Sequence, residues 1–139
     1  MIELSIYDIL MLISTHLVAD FILQDEADAA NKWKDFRCLI RHTSLYASAA
    51  TIFVYIHLCI LGEVSDYLDP SGWKLGVFFL VILAMHTATD FFTSKVVHRQ
   101  FKEGHVGSSI PNFGAFTTIG ISQWAHYAQL FITYGLLFE

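Results

Sequence analysis

Two short segments of this chain carry histidine and aspartate four residues apart: His16-Leu-Val-Ala-Asp20-Phe21 and His86-Thr-Ala-Thr-Asp90-Phe91. On an α-helix that spacing puts both groups on one face. Neutral imidazole and carboxylate are donors suited to zinc, iron and manganese, and the same pair can pass a proton. His42 precedes a further apolar stretch, and Gln123 with His126 stands at i, i+3 in another. His16, Asp20, His42, His86, Asp90 and His126 are therefore candidate metal ligands. They outnumber the four donors of one tetrahedral ion, which leaves an open position and makes Asp20 and Asp90 the candidate catalytic carboxylates.

The elements that must position these groups are legible in the hydropathy. Of 139 residues 55% are apolar and only 15% charged, with mean hydropathy +0.51, against roughly 25% charged in soluble domains. Four apolar stretches, 5–24, 43–61, 73–94 and 114–138, each approach the ~20 residues that span hydrocarbon as a helix. They lack the alternation of a membrane barrel. The expectation is an all-α integral membrane protein, one membrane domain over 1–139, with four transmembrane helices. Residues 1–7 contain Glu3 and no basic residue, unlike a cleavable signal sequence. Because helices 1 and 3 run the same way and each carry a His-x-x-x-Asp, the chain reads as two hairpins in a parallel repeat.

Lys32, Lys34, Arg37 and Arg41 follow helix 1 and Lys95, Arg99 and Lys102 follow helix 3, whereas Lys74 alone serves the other side. The positive-inside rule makes the basic loops cytoplasmic and both termini external, in a multi-pass protein. Trp33, Phe36 and Ile40, set among Lys32, Lys34 and Arg37, predict a short interfacial helix. The acidic linker 63–72 predicts a turn at Asp69-Pro70-Ser71-Gly72, with Tyr67 and Trp73 at headgroup depth. The third linker is expected to prolong helix 3 past His98, then to loop through His105, Gly107, Ser108, Ser109 and Pro111. A net charge of −5 offers no footprint for nucleic acid. Cys38 and Cys59 fall near opposite faces, too far apart to pair.

Depth gathers the polar groups. At 1.5 Å per residue His16 and His86 lie roughly 12 Å inside the cytoplasmic ends of their helices, with Asp20 and Asp90 a turn shallower. His42 lies near that surface and His126 somewhat deeper; His57 falls in the other leaflet and is set aside. An ionised aspartate in hydrocarbon costs about 2.5–3.5 kcal/mol even on insertion scales, so both demand partners. Three explanations remain open: a metal site, a structural hydrogen-bond network, and a proton or cation path through a homo-oligomer. Gly114, Gly120, Ala49 and Ala50 would permit close helix contact.

Thr15-His16-Leu-Val-Ala-Asp20-Phe21-Ile-Leu-Gln24, then Lys32, His42, His86-x-x-x-Asp90 and Gln123-x-x-His126, resemble over nearly the whole chain a family of small bacterial and phage membrane proteins of unknown function. That family is distantly similar to membrane-bound metal-dependent hydrolases. In its last motif an acidic residue precedes the glutamine, where this chain has Ser122. The resemblance implies a bacterial inner membrane.

No Gly-x-Ser-x-Gly nucleophile, phosphate loop or Ser–Lys pairing is present. The expected function is therefore metal-dependent hydrolysis, with zinc as cofactor and a membrane-associated ester or phosphoester as substrate. Arg41 or Lys95 is expected to neutralise the substrate's anion. The alternatives are a proton- or cation-conducting oligomer and a non-catalytic interaction protein.

Overall fold

The structure, a computed structural model, describes residues 4–61, 72–107 and 113–138. It is helical throughout the regular elements described. Helix α1 spans Ile6–Leu17 and runs into a π-helical segment, Val18–Ile22; α2 spans Glu26–Asn31, α3 Phe36–Leu61, α4 Trp73–Lys102 and α5 Ala115–Phe138. The linker turn expected at 69–72 lies outside the described residues save for Gly72, which caps α4 with φ 56°. Ser108, Ser109 and Pro111 also lie outside them.

Helix α1 begins where Ser5 and Asp8 cap each other. The Ser5 side chain accepts from the Asp8 amide, and the Asp8 carboxylate accepts from the Ser5 amide at 2.8 Å. The helix widens at Val18, where the Leu23 amide donates five residues back to the Val18 carbonyl at 2.9 Å. Asp20 sits in this widened turn, whereas Asp90 sits in regular α-helix. The two copies of the His-x-x-x-Asp pattern are therefore not equivalent in backbone.

Helices α1, α3, α4 and α5 form an up-and-down bundle in which α3 packs on α1 and α4, and α5 on α4 and α1. The two pattern-bearing helices, α1 and α4, thus face each other diagonally across the interior. Small residues on α3, Ala47 and Ala50, are fully buried and let its neighbours approach closely. Thr87 donates to Thr43 at 2.9 Å between α4 and α3, and Gln129 donates to Thr89 at 2.6 Å between α5 and α4. Leu12, Val54, Ile82 and Leu130 close the middle of the core.

Two helical segments, Phe36–Ile60 and Trp73–Lys102, are long and apolar enough to cross a membrane. The α3 span begins elsewhere than hydropathy placed it, at Phe36 rather than 43, whereas α4 continues beyond its apolar stretch to Lys102, as expected of the linker that follows it. In both cases amphipathic residues prolong a helix that apolar residues start. The short helix is displaced as well. Trp33 lies in a turn, while Phe36 and Ile40 belong to the first turns of α3.

The short helix is instead α2, capped by Asp25, whose side chain accepts from the Ala27 and Asp28 amides. Its anchor is buried Asp28, which takes two hydrogen bonds from the Arg41 guanidinium. This pair holds the Asp28 carboxyl below its ordinary value of 3.8. A group whose folded pKa is depressed stabilises the fold above the ordinary value and loses that contribution as pH falls through the lowered one. The amides of α2 should therefore be protected from hydrogen exchange above about pH 5 and lose protection at lower pH. Asp28→Asn should remove that protection at pH 7. Equal protection in the variant would show that α2 is held by other contacts.

Candidate metal centre

All six residues singled out by spacing are buried and meet at one end of the bundle interior. Helix α1 contributes His16, its π segment Asp20, α3 His42, α4 His86 and Asp90, and α5 His126. The hub is His42. Its Nε2 lies 3.2 Å from Asp20 Oδ1, 3.2 Å from Asp90 Oδ2 and 3.2 Å from His86 Nε2. His86 Nε2 is in turn 3.7 Å from Asp20 Oδ1 and 3.8 Å from Asp90 Oδ2.

These spacings have a simple reading. Donors bound to zinc at 2.0–2.1 Å in a tetrahedron stand about 3.3 Å from one another. His42 Nε2, His86 Nε2 and Asp20 Oδ1 stand near that spacing from one another, and Asp90 Oδ2 lies at 3.2 and 3.8 Å from the same two imidazoles. Overlapping groups, Asp20 with His42 and His86, His86 with Asp90 and His126, and His16 with Asp20 and His126, could each hold a metal ion.

Several polar atoms of the cluster lack a partner. Asp20 Oδ1, His42 Nδ1, His86 Nδ1 and both ring nitrogens of His126 are buried without a hydrogen-bond partner. His126 stands between the carboxylates, with Nδ1 3.7 Å from Asp20 and Nε2 3.5 Å from Asp90. Leaving a buried polar atom unsatisfied costs about 1–3 kcal/mol. For His42 and His86 the unpartnered nitrogen is Nδ1, whereas Nε2 is the atom that faces the carboxylates.

His16 differs from the others. Gln123 donates from Nε2 to Asp20 Oδ2 at 3.2 Å, which turns its carbonyl oxygen to His16 Nε2 at 2.6 Å. A carboxylate only accepts, so this contact orients the amide, and His16 Nε2 must carry the proton. Its Nδ1 is then the acceptor for Tyr46 Oη, 3.0 Å away. Both nitrogens of His16 are thus engaged in positioning Asp20, and binding an ion would require releasing Gln123. Tyr46 also stacks on His86, with ring centroids 3.8 Å apart at 14°.

The cation facing the cluster is Lys32, at 2.7 Å from Asp90 Oδ2 and 3.5 Å from His42 Nε2. Arg41 and Lys95, expected to meet a substrate anion, do not line this centre. Arg41 is held by Asp28, and Lys95 Nζ lies 3.4 Å over the Phe91 ring. Each finds a partner on its own side of the helix surface, whereas α2 carries the chain inward and delivers Lys32. Ser122, the departure from the resembled motif, shares a hydrogen bond with Thr93 at 3.1 Å.

His57, set aside by depth, does lie apart from the cluster, but it is not idle. Its Nε2 meets Asp8 Oδ1 at 2.8 Å, and Tyr134 Oη donates to the same oxygen at 2.8 Å. Sequence reasoning missed this second group. The signal was an aspartate in the first turn of an apolar helix, with a histidine at matching depth in the next. Cys38 and Cys59 are both free thiols, on α3, and His98 stacks on Trp33 with centroids 3.5 Å apart.

No family model, curated protein or solved structure matches this chain.

The hydrogen-bond chain through His16 is testable by deletion of one atom. Tyr46→Phe removes the donor to His16 Nδ1 in a fully buried setting and should lower stability by about 1–3 kcal/mol in unfolding titrations of the detergent-purified protein. Unchanged stability would mean that the Tyr46 hydroxyl makes no hydrogen bond to His16 that matters to the fold.

Proposed function

We propose that this protein is a multi-pass membrane protein whose buried centre binds a divalent transition metal, zinc first, and hydrolyses a membrane-associated ester or phosphoester. The observation that carries this reading is the convergence of buried histidines and aspartates from all four long helices, in which sets such as Asp20, His42 and His86 could hold a metal ion. The membrane assignment draws on the inside-out distribution of residues. Ile52, Ile56, Leu80, Phe92, Trp124 and Leu136 are exposed while histidines and aspartates are buried. Water would penalise that arrangement, and lipid would reward it.

Beyond the two long helices, α1 with its π segment rises about 25 Å and α5 about 36 Å, so four crossings of an inner membrane are the economical topology. The basic residues at the α2 end then face the cytoplasm and both termini face outward. The centre lies in the cytoplasmic leaflet, within reach of headgroup chemistry.

In this reading His42, His86, Asp20 and Asp90 are the ligands. Gln123 and His16 hold Asp20 in place, as outer-shell partners do in metal sites. A bound ion supplies a Lewis acid and a hydroxide nucleophile at neutral pH. His126, unpaired between the two carboxylates, is placed to take and return a proton. Conduction through a single chain finds less support, because fully buried Leu12, Ala50, Val54 and Leu130 separate this centre from the Asp8–His57 pair.

Two outcomes follow. Zinc should co-purify near one equivalent per chain, and Asp20→Asn or Asp90→Asn should weaken its binding at least about tenfold while the fold persists. A metal-free wild-type protein that fails to take up added zinc would end the hydrolase reading. For topology, single cysteines placed at the termini should react with an impermeant maleimide in intact cells, while those in the basic segments should not. The reverse pattern would overturn the orientation.

A further inference from the structure

Beside the metal centre lies a pocket of about 330 Å³ between α2, α4 and α5. Its inner end is polar, formed by Lys32, Asp90 and Gln123, and its outer wall is mostly apolar, formed by Trp33, Val97 and Phe101 with His98 stacked on Trp33. From Asp90 to Phe101 the pocket follows α4 for about 16 Å. On its wall the Ser94 hydroxyl is buried without a hydrogen-bond partner. Lys32 stands where the pocket meets the cluster, its ammonium on Asp90 and beside His42.

The pocket is therefore graded: a cation and an unpaired hydroxyl inside, aromatic and aliphatic surface outside. That grading matches an amphiphile with an anionic head. A carboxylate or phosphoryl head both answer a cation, but a phosphoryl group offers several acceptor oxygens, enough for the Lys32 ammonium and the Ser94 hydroxyl at once. Lys32 itself lines the pocket, in the same space as the wall that carries the Ser94 hydroxyl. We propose that this pocket is the substrate-binding site and takes a phosphomonoester carried on a lipid, with Lys32 as the residue that receives its phosphoryl group. This deepens the hydrolase reading above by naming the substrate class and the residue that selects it.

The test is equilibrium binding to the full-length protein in neutral detergent, with and without added zinc. The probes are dihexanoyl phosphatidic acid, the matching diacylglycerol and glycerol 3-phosphate. The phosphatidic acid should bind, and the uncharged diacylglycerol should bind at least about tenfold more weakly, the loss expected for one charge-assisted interaction. Lys32→Gln should weaken the phosphatidic acid to a similar degree. Because Lys32 also neutralises Asp90, that variant risks misfolding, so Ser94→Leu provides a second route. It fills the pocket while keeping both members of the Lys32–Asp90 pair, and should abolish lipid binding while zinc binding persists. Equal affinity for glycerol 3-phosphate would overturn the lipid assignment. Phosphatidic acid binding that neither Lys32→Gln nor Ser94→Leu reduces would overturn the site. The metal reading fails separately, by absent zinc uptake, and Lys32-dependent lipid binding in that case would leave the pocket assignment standing without the hydrolase.

Discussion

Two carboxylates, Asp20 and Asp90, share one small buried space, and both come within 3.2 Å of a single imidazole nitrogen. Like charges so close in a poorly solvated interior repel one another and lose hydration, so neither is tolerable without cationic or donor partners. Much of the rest of the molecule is arranged around that constraint. Four histidines surround the pair, Gln123 binds one carboxylate, and Lys32 binds the other. The partners come from every helix of the bundle and from the segment after α2, so the charge problem also dictates which helices must meet.

The placement of α2 follows from the same requirement. Lysine alone can neutralise Asp90 only if the chain between α1 and α3 bends back into the bundle. Asp25 starts that bend by capping α2, and the buried Asp28 fastens it to Arg41 at the start of α3. A basic loop thus does two separate jobs. Arg41 faces outward and serves architecture, while Lys32 turns inward and serves the centre. A reading by charge count alone treats the two as equivalent.

Polar groups at the opposite end obey a different logic. Asp8 is saturated: it caps its own helix through Ser5 and accepts from His57 and Tyr134. Nothing is left over for a ligand, and that cluster reads as a clasp joining α1, α3 and α5. The other cluster is less fully paired, with Nδ1 of His42 and His86, both nitrogens of His126 and Asp20 Oδ1 lacking a hydrogen-bond partner. Both occur in one small bundle, separated by an apolar layer.

Hydropathy and spacing by themselves determined that the chain is helical, that its paired histidines and aspartates share helix faces, and that six such groups fall towards one side of the bundle. Those properties are periodic and local, so they survive without coordinates. Only the tertiary structure decided how the six divide. It placed His16 behind Asp20, engaged through Gln123 and Tyr46, and set His42 at the hub, although His16 and His86 are twins in sequence. It chose Lys32 over Arg41 and Lys95, moved the short helix from around Trp33 to Glu26–Asn31, and paired His57 with Asp8. The physical reason is common to all of these. Which nitrogen is free, which cation turns inward and which apolar turn joins a longer helix depend on partners more than ten residues away, and spacing along the chain carries no information about them.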